Sequence, residues 1–216
     1  MLDLFEDDAA VSASPEVIAP GAFILRQAAA ERVPALLEAM RRVIEQAPLR
    51  IMTTPAGLKM SVAMTNCGAA GWVSERSGYR YTAIDPLSGK PWPRMPAVFA
   101  GFASEVAARA GFIDFTPDAC LINRYEPGVR LSLHQDRDER DFSAPIVSVS
   151  LGLPATFLFG GCRRSERAQR IALRHGDVVV WGGESRLRFH GVLPVAEGLH
   201  PVLGRSRINL TLRKAL

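Results

Sequence analysis

The sequence predicts a mainly β fold, a double-sheet jelly roll with flanking α-helices, on three observations. From Ala119 onward the apolar residues recur with a period of two, in about eight short β-rich segments. Pro-Gly, Gly-Gly and His-Gly-Asp runs punctuate those segments at regular intervals. Upstream, two stretches carry apolar residues at helical spacing. Many short strands separated by turn signals are the pattern of a jelly roll, and the helices read as its buttress.

The elements follow in order. Residues 1–20, with Ser12, Ser14, Pro15 and Pro20 among small residues, are expected to be poorly ordered. Ala28 to Ala47 places Val33, Leu36, Leu37, Met40, Val43 and Ile44 at helical spacing and is followed by Pro48. Pro34 falls early enough to sit in the first turn. A second helix runs from about Pro96 to Ala110, with Val98, Phe99, Phe102, Val106 and Ala107 as its stripe and Gly111 as its stop. Between them, residues 50–94 are rich in Gly, Pro, Thr, Ser and Met, with Trp72, Tyr79, Tyr81 and Trp92 interspersed. Short strands and long loops of this kind predict a lid or binding region. Strands are expected at Ala119–Tyr125, Val129–His134, Ile146–Leu151, Thr156–Phe159, Arg170–Leu173, Asp177–Trp181, Leu187–Gly191 and Arg205–Leu212. One integrated domain results: a helical buttress with a lid over about 50–92 inside 21–118, then the jelly roll over 119–216.

Composition narrows the function classes. The 216 residues are 48% hydrophobic and 22% charged, ordinary for a soluble domain. Apolar runs are far shorter than a membrane span, and the acidic start, Met1-Leu-Asp-Leu-Phe-Glu-Asp-Asp8, is no secretory signal. Cys67, Cys120 and Cys162 form no Cys-x-x-Cys pair, which fits a reduced, cytoplasmic setting better than a disulfide framework. The net charge of +4 tilts the chain toward polyanions only mildly. Arg163, Arg164, Arg167, Arg170 and Arg174 cluster in one segment, which reads first as a solvated basic loop.

His134-Gln-Asp136 ends an expected strand, so its imidazole and carboxylate face the same way. His190, closing another strand, supplies a third ligand. Two histidines and a carboxylate on one side of an ion leave other positions open, as in non-haem Fe(II) oxygenases. His175 reads as part of a tight turn and His200 as solvent-facing. On spacing alone the triad is equally a zinc site.

The last strand narrows this. In Arg207-Ile-Asn-Leu-Thr-Leu-Arg213, one face is Ile208, Leu210, Leu212 and the other Arg207, Asn209, Thr211, Arg213. The polar face is either ordinary surface or the lining of a cavity. Inside, two guanidinium groups demand anionic partners, and a dicarboxylate offers two that suit arginine's planar fork. Asn123 and Tyr125, two apart on a strand, point an amide and a hydroxyl the same way.

Asn123-Arg-Tyr125-Glu-Pro-Gly128, Leu133-His134-Gln-Asp136-Arg-Asp138-Glu139, Ile146-Val-Ser-Val-Ser-Leu-Gly152, His175-Gly-Asp-Val-Val-Val-Trp-Gly-Gly183, Arg188-Phe-His190-Gly191 and Arg207-Ile-Asn-Leu-Thr-Leu-Arg213 together closely resemble the AlkB family of DNA repair dioxygenases. Met60-Ser-Val-Ala-Met-Thr-Asn-Cys-Gly68, with Gly71-Trp72 and Gly78-Tyr79, resembles its bacterial branch. The resemblance covers most of residues 48–213. It implies a double-stranded β-helix with Fe(II) held by His134, Asp136 and His190. It also implies 2-oxoglutarate bound by Arg207 and Arg213, assisted by Asn123, Tyr125 and Asn209, with O2 as oxidant. The implied reaction is oxidative removal of N-alkyl groups, as from 1-methyladenine and 3-methylcytosine, with release of succinate, CO2 and an aldehyde.

A base must leave the stack to be acted on. Trp72, Tyr79 and the ring of His134 are residue types that stack on it, and Asp138 is a candidate acceptor for an exocyclic amine. Thr54, Met64 and Ser148 are candidate pocket residues, and Arg164 matches a family position facing phosphate or base. The expected partner is single-stranded DNA, with double-stranded DNA and RNA as further candidates, and the chain is expected to act as a monomer. The rivals are a zinc-dependent hydrolase or cupin on the same ligands, a non-catalytic nucleic-acid-binding module, and an oxygenase acting on RNA or protein.

Overall fold

A computed structural model describes residues 14–216. The chain runs β1 (Glu16–Ala19), β2 (Ala22–Leu25), α1 (Val33–Gln46), β3 (Arg50–Thr53), β4 (Lys59–Gly68), β5 (Gly71–Glu75), β6 (Gly78–Thr82) and α2 (Ala97–Arg109). It continues β7 (Ala119–Tyr125), β8 (Leu131–His134), β9 (Ile146–Gly152), β10 (Ala155–Phe159), β11 (Gln169–Leu173), β12 (Val178–Trp181), β13 (His190–Val192) and β14 (Arg207–Arg213). An eight-stranded sheet, ordered β1-β2-β12-β9-β14-β7-β4-β3, faces a four-stranded one ordered β11-β10-β13-β8. These antiparallel sheets form the jelly roll that the period of two predicts.

Alternation along the strands divides the apolar residues into two cores. Cys120, Ile122, Val147, Val149, Val178, Val180, Ile208, Leu210 and Leu212 face one way and pack with Leu36, Met40, Phe99, Phe102 and Val106 of the helices. The opposite faces meet between the sheets, where Leu121, Tyr125, Phe157, Phe159, Val179 and Trp181 form the second core. Helix α1 buries Val33, Leu36, Leu37, Met40 and Val43, with Pro34 in its first turn as expected. Burying each such side chain is worth about 1.5–3 kcal/mol, enough to fix the helices on the larger sheet. That packing decides which face of every long strand looks into the roll.

Three expectations need correction. Residues 16–19 are strand β1, paired with β2, so the expected disorder of 1–20 does not hold there; residues 1–13 lie outside the described ones. The segment 50–92 is not loop-rich throughout. β3 and β4 extend the larger sheet, with β4 pairing β7 from Ala63↔Arg124 to Gly68↔Ala119. Only β5 and β6 stand apart as a two-stranded hairpin. Thirdly, residues 187–189 are irregular and β13 begins at His190. A 3-10 turn at Gly183–Ser185 passes into that bend, where the Arg188 and Phe189 amides donate to Ser185 and Gly161.

The hairpin is tied down at its root. Asn66 donates to the Trp72 carbonyl at 2.9 Å and accepts from the Trp72 amide at 3.0 Å. Gly71 lies so close to Trp92 that a Cβ there would sit 2.5 Å from the indole ring. The hairpin therefore springs from a fixed base and lines the space between the sheets with Trp72, Tyr79 and Tyr81.

Candidate metal and co-substrate site

His134 ends β8, His190 starts β13, and the two strands pair with these residues as direct partners. Asp136 follows two residues after His134. The ligand atoms of His134, Asp136 and His190 lie within 4.8 Å of one another, and among the described residues this is the one such cluster of metal-ligating groups. Each histidine Nε2 is 3.7 Å from an Asp136 oxygen. The Nδ1 of His134 is 2.9 Å from the Ser132 carbonyl, and that of His190 is 3.1 Å from the Arg188 carbonyl. A carbonyl only accepts, so each Nδ1 carries the hydrogen and each Nε2 turns a lone pair toward Asp136. Such backbone bonds fix the tautomer and orientation that a metal ligand requires.

The charges suit a cation. Burial opposes the ionised form of Asp136, but Arg213, His190 and His134 outweigh it and hold the carboxyl below its ordinary range. Burial, then the neighbouring His134, lowers His190 to about 4, so it is a neutral ligand at neutral pH. An imidazole depressed in the folded state stabilises the fold above its unfolded value, near 6.5, and that contribution is lost as pH falls toward about 4. Metal-free protein is expected to lose on the order of 3 kcal/mol over that window. Denaturant titrations at pH 7 and pH 4.5 check this, and His190→Gln should flatten the difference.

Beside the triad, β14 turns its polar face inward, which resolves the alternatives left by its sequence. Arg207, Asn209, Thr211 and Arg213 are all buried between the sheets. They line a cavity of about 620 Å³ that also contains the triad, Asn123, Tyr125, Ser148 and Trp181. Asn209 accepts from Asn123 at 3.2 Å and from Thr211 at 2.7 Å, and donates to Ser148 at 2.8 Å. Ser148, a candidate for the base pocket, thus lies within the group proposed for the co-substrate. The Arg207 guanidinium sits 4.9 Å from the centre of the Tyr125 ring and donates from Nη2 to Ser150 at 3.2 Å. It is only 1% exposed, yet its Nε and Nη1 have no protein partner. A buried cation with two unused donors fits a carboxylate guest.

Arg213 is placed differently. Its Nη2 and Nε donate to Asp136 at 2.6 and 2.9 Å, and its Nε lies 3.3 Å from Glu139. It braces the Asp136 carboxylate as well as lining the cavity, a role the sequence does not suggest. Sequence reasoning also misses Tyr81, Glu139, Gln135 and Arg186. Tyr81 donates to Glu139 at 2.8 Å, and Arg186 Nη2 meets the same carboxylate at 3.2 Å. Arg186 donates to the Asp136 carbonyl at 2.8 Å, while Gln135 donates to the Leu187 carbonyl at 2.5 Å. These reciprocal bonds clasp the two ligand-bearing segments together. The period of two offers a signal for Tyr81, which shares a strand face with Tyr79; nothing local marks Arg186.

At the mouth, the Trp72 and Tyr79 rings stack 5.5 Å apart at 12°. The Trp72 indole donates to Asp138 at 2.7 Å, so that carboxylate holds the hairpin against the loop after Asp136. Arg164 is exposed, donates to the Leu133 carbonyl at 2.8 Å and lies over the Phe189 ring. Thr54 accepts from the Leu58 amide and Met64 is buried, both on the cavity wall. His175 and His200 lie with each other, away from the triad, at a ring separation of 4.4 Å.

Two imidazoles and one ionised carboxylate fit Fe(II) by donor type and by the side they leave open, and Arg207 fits an anionic co-substrate. The comparisons agree. The model of the 2OG-Fe(II) oxygenase superfamily matches residues 21–213. The chain is 57% identical over 215 residues to alpha-ketoglutarate-dependent dioxygenase AlkB of Salmonella typhimurium, covering 100% of this chain and 98% of the relative. It is 43% identical over 131 residues to the human nucleic acid dioxygenase ALKBH1, covering 59% of this chain and 33% of that one. The solved structure of OsALKBH1 superposes with a TM-score of 0.80 at 28% identity, covering 93% of this chain and 99% of that one. The chain belongs to the AlkB family of 2-oxoglutarate- and Fe(II)-dependent dioxygenases.

Proposed function

We propose that the protein oxidatively dealkylates N-alkylated bases such as 1-methyladenine and 3-methylcytosine, with single-stranded DNA as its main substrate. The observation that carries this reading is the placement of the His134–Asp136–His190 cluster in a cavity overhung by the stacked Trp72 and Tyr79. A flat aromatic pair above a metal-ligating cluster suits a base removed from its stack, each such contact being worth about 1–3 kcal/mol. The human relative's name, nucleic acid dioxygenase, points the same way.

In this reading His134, Asp136 and His190 hold Fe(II), whose chemistry couples oxidative decarboxylation of 2-oxoglutarate by O2 to hydroxylation of the N-alkyl carbon. Arg207 grips one carboxylate of 2-oxoglutarate by its free Nε and Nη1, with the Tyr125 ring against the guanidinium and Asn123 and Asn209 beside it. Arg213 neutralises Asp136 and orients it. Trp72, Tyr79 and the His134 ring hold the base by its faces, and Asp138 sets the hairpin through the Trp72 indole. Thr54, Met64 and Arg164 shape the mouth. The hydroxylated carbon then leaves the base nitrogen as an aldehyde.

The test is anaerobic reconstitution with Fe(II), followed by 2-oxoglutarate, O2 and a methylated oligonucleotide. Repaired base, formaldehyde and succinate are expected in equal amounts by mass readout. Succinate without base repair, with RNA and duplex DNA also inert, rejects the substrate reading. Trp72→Ala is expected to lower turnover of the methylated strand by about fivefold to a hundredfold, since it removes about 1–3 kcal/mol of stacking. Substrate-free oxidation of 2-oxoglutarate should stay within about twofold. Equal loss of both reactions would place Trp72 in the structural core instead.

A further inference from the structure

We propose that His175 and His200 are a positioning pair for Arg207: as acceptors at Nδ1 they latch the loop that feeds Arg207 into the cavity, and protonation of His175 in acid weakens 2-oxoglutarate binding. The inference rests on the reading of Arg207 as a partner of the co-substrate carboxylate.

His175 lies in the turn between β11 and β12, and its Nδ1 is 2.9 Å from the Gly152 amide nitrogen. The Nδ1 of His200 is 3.2 and 3.3 Å from the amides of Val202 and Leu203. A backbone N–H only donates, so in both rings Nδ1 carries the lone pair and the hydrogen is on Nε2. That tautomer is the reverse of the one at His134 and His190. The two rings lie 4.4 Å apart at 35°.

What they hold leads to the site. Gly152 is the register partner of Arg207 across β9 and β14. At its φ of +85°, a Cβ would collide with the Ser206 carbonyl and press on Leu203, so the loop before β14 sits directly against it. The Leu153 amide donates to Ser206 at 3.1 Å, and His200 and Gly204 exchange backbone bonds at 2.8 and 2.9 Å. The pair thus caps both sides of the segment whose end sets where Arg207 starts.

A proton on either Nδ1 turns an acceptor into a donor facing a donor, and the latch opens. The charged groups on the same turns are already committed. Asp177 takes Arg26 at 2.9 Å and the amides of Gln27 and Arg174 at 3.1 and 2.9 Å, while Arg205 pairs with Glu197 at 2.8 Å. Burial and then His200 hold His175 below its ordinary value, with no carboxylate acting to raise it. The His175 bond is therefore intact at neutral pH and is lost as pH falls through that lowered value.

The experiment uses the full chain loaded with Mn(II) under anaerobic conditions, with 2-oxoglutarate affinity measured by calorimetry at pH 7.5 and pH 5.5. The parent is compared with His175→Asn/His200→Asn and with His200→Asn alone, since asparagine keeps an acceptor near the Nδ1 position and does not titrate. Losing the His175 latch bond predicts a fall of about tenfold in the parent beyond that of the double variant, with both within about threefold at pH 7.5. The amide resonance of Gly152, which meets His175, should shift over the same range in the parent and stay fixed in the double variant. A double variant that keeps the parent's full pH dependence, or a parent Gly152 amide that does not respond, overturns the proposal. A Gly152 amide that responds without any change in affinity, while Arg207→Ala still destroys binding, overturns the positioning role and leaves the reading of the site standing.

Discussion

Asp136→Ala is expected to abolish detectable turnover and to release the metal. Asp136 is the one anionic member of the triad, and its carboxylate lies within ligand range of both imidazoles. The change does a second kind of damage. Arg213, 6% exposed, would lose both bonds to Asp136 and keep only Glu139 at 3.3 Å. Removing one partner of a buried ion pair costs about 3–5 kcal/mol. Metal content by mass spectrometry, succinate yield and a denaturant melt should therefore all fall together. Asp136→Asn separates the effects, because the amide oxygen can still accept from Arg213 while the charge is gone. It should keep more stability than alanine and still fail in turnover. Near-full activity in either variant with stoichiometric iron would remove Asp136 from the ligand set.

Which parts of this arrangement were legible in the sequence follows from how far apart the interacting residues lie. β14 announced two faces by its period, but which face was inside depended on the helices, since Ile208, Leu210 and Leu212 could cover any apolar layer. Once α1 and α2 pack on that side, Arg207 and Arg213 have nowhere to go but the cavity. β4 does not stand out as a single long strand in the sequence for the opposite reason. Its second half is covered on both faces, so Thr65, Asn66 and Cys67 show no alternation, and the buried Thr65 and Asn66 satisfy themselves on backbone carbonyls of Ala47 and Trp72. Polar residues that are buried because their partners are remote carry no local signature. Glu139 and Arg186 belong to that class: their pairing spans 47 positions, from 139 to 186. The His134–Asp136–His190 cluster was readable because the groups able to ligate a metal are so few in type that these three stood out before any contact was known.

Arg207→Ala is expected to weaken 2-oxoglutarate binding by roughly thirtyfold to a few thousandfold, the equivalent of about 2–5 kcal/mol for a desolvated carboxylate pair. The fold should survive. Arg207 donates to Ser150, lies beside the Tyr125 hydroxyl and leaves Nε and Nη1 unpartnered, so its removal orphans little and relieves a buried charge. Burial lowers its proton affinity, and the Tyr125 hydroxyl beside it only partly compensates. A site so arranged is stabilised by an arriving anion, which makes the melting temperature a second readout. Saturating 2-oxoglutarate should raise the melting temperature of the parent and leave that of Arg207→Ala nearly unmoved. Arg213→Ala should behave otherwise, because that guanidinium braces Asp136: metal affinity and 2-oxoglutarate affinity should fall together, and stability with them. Calorimetric titration of 2-oxoglutarate into Mn(II)-loaded protein, alongside a separate metal titration, distinguishes the two patterns. If neither substitution changes 2-oxoglutarate affinity by even a few-fold, the inward polar face of β14 serves the fold alone and the co-substrate must bind elsewhere.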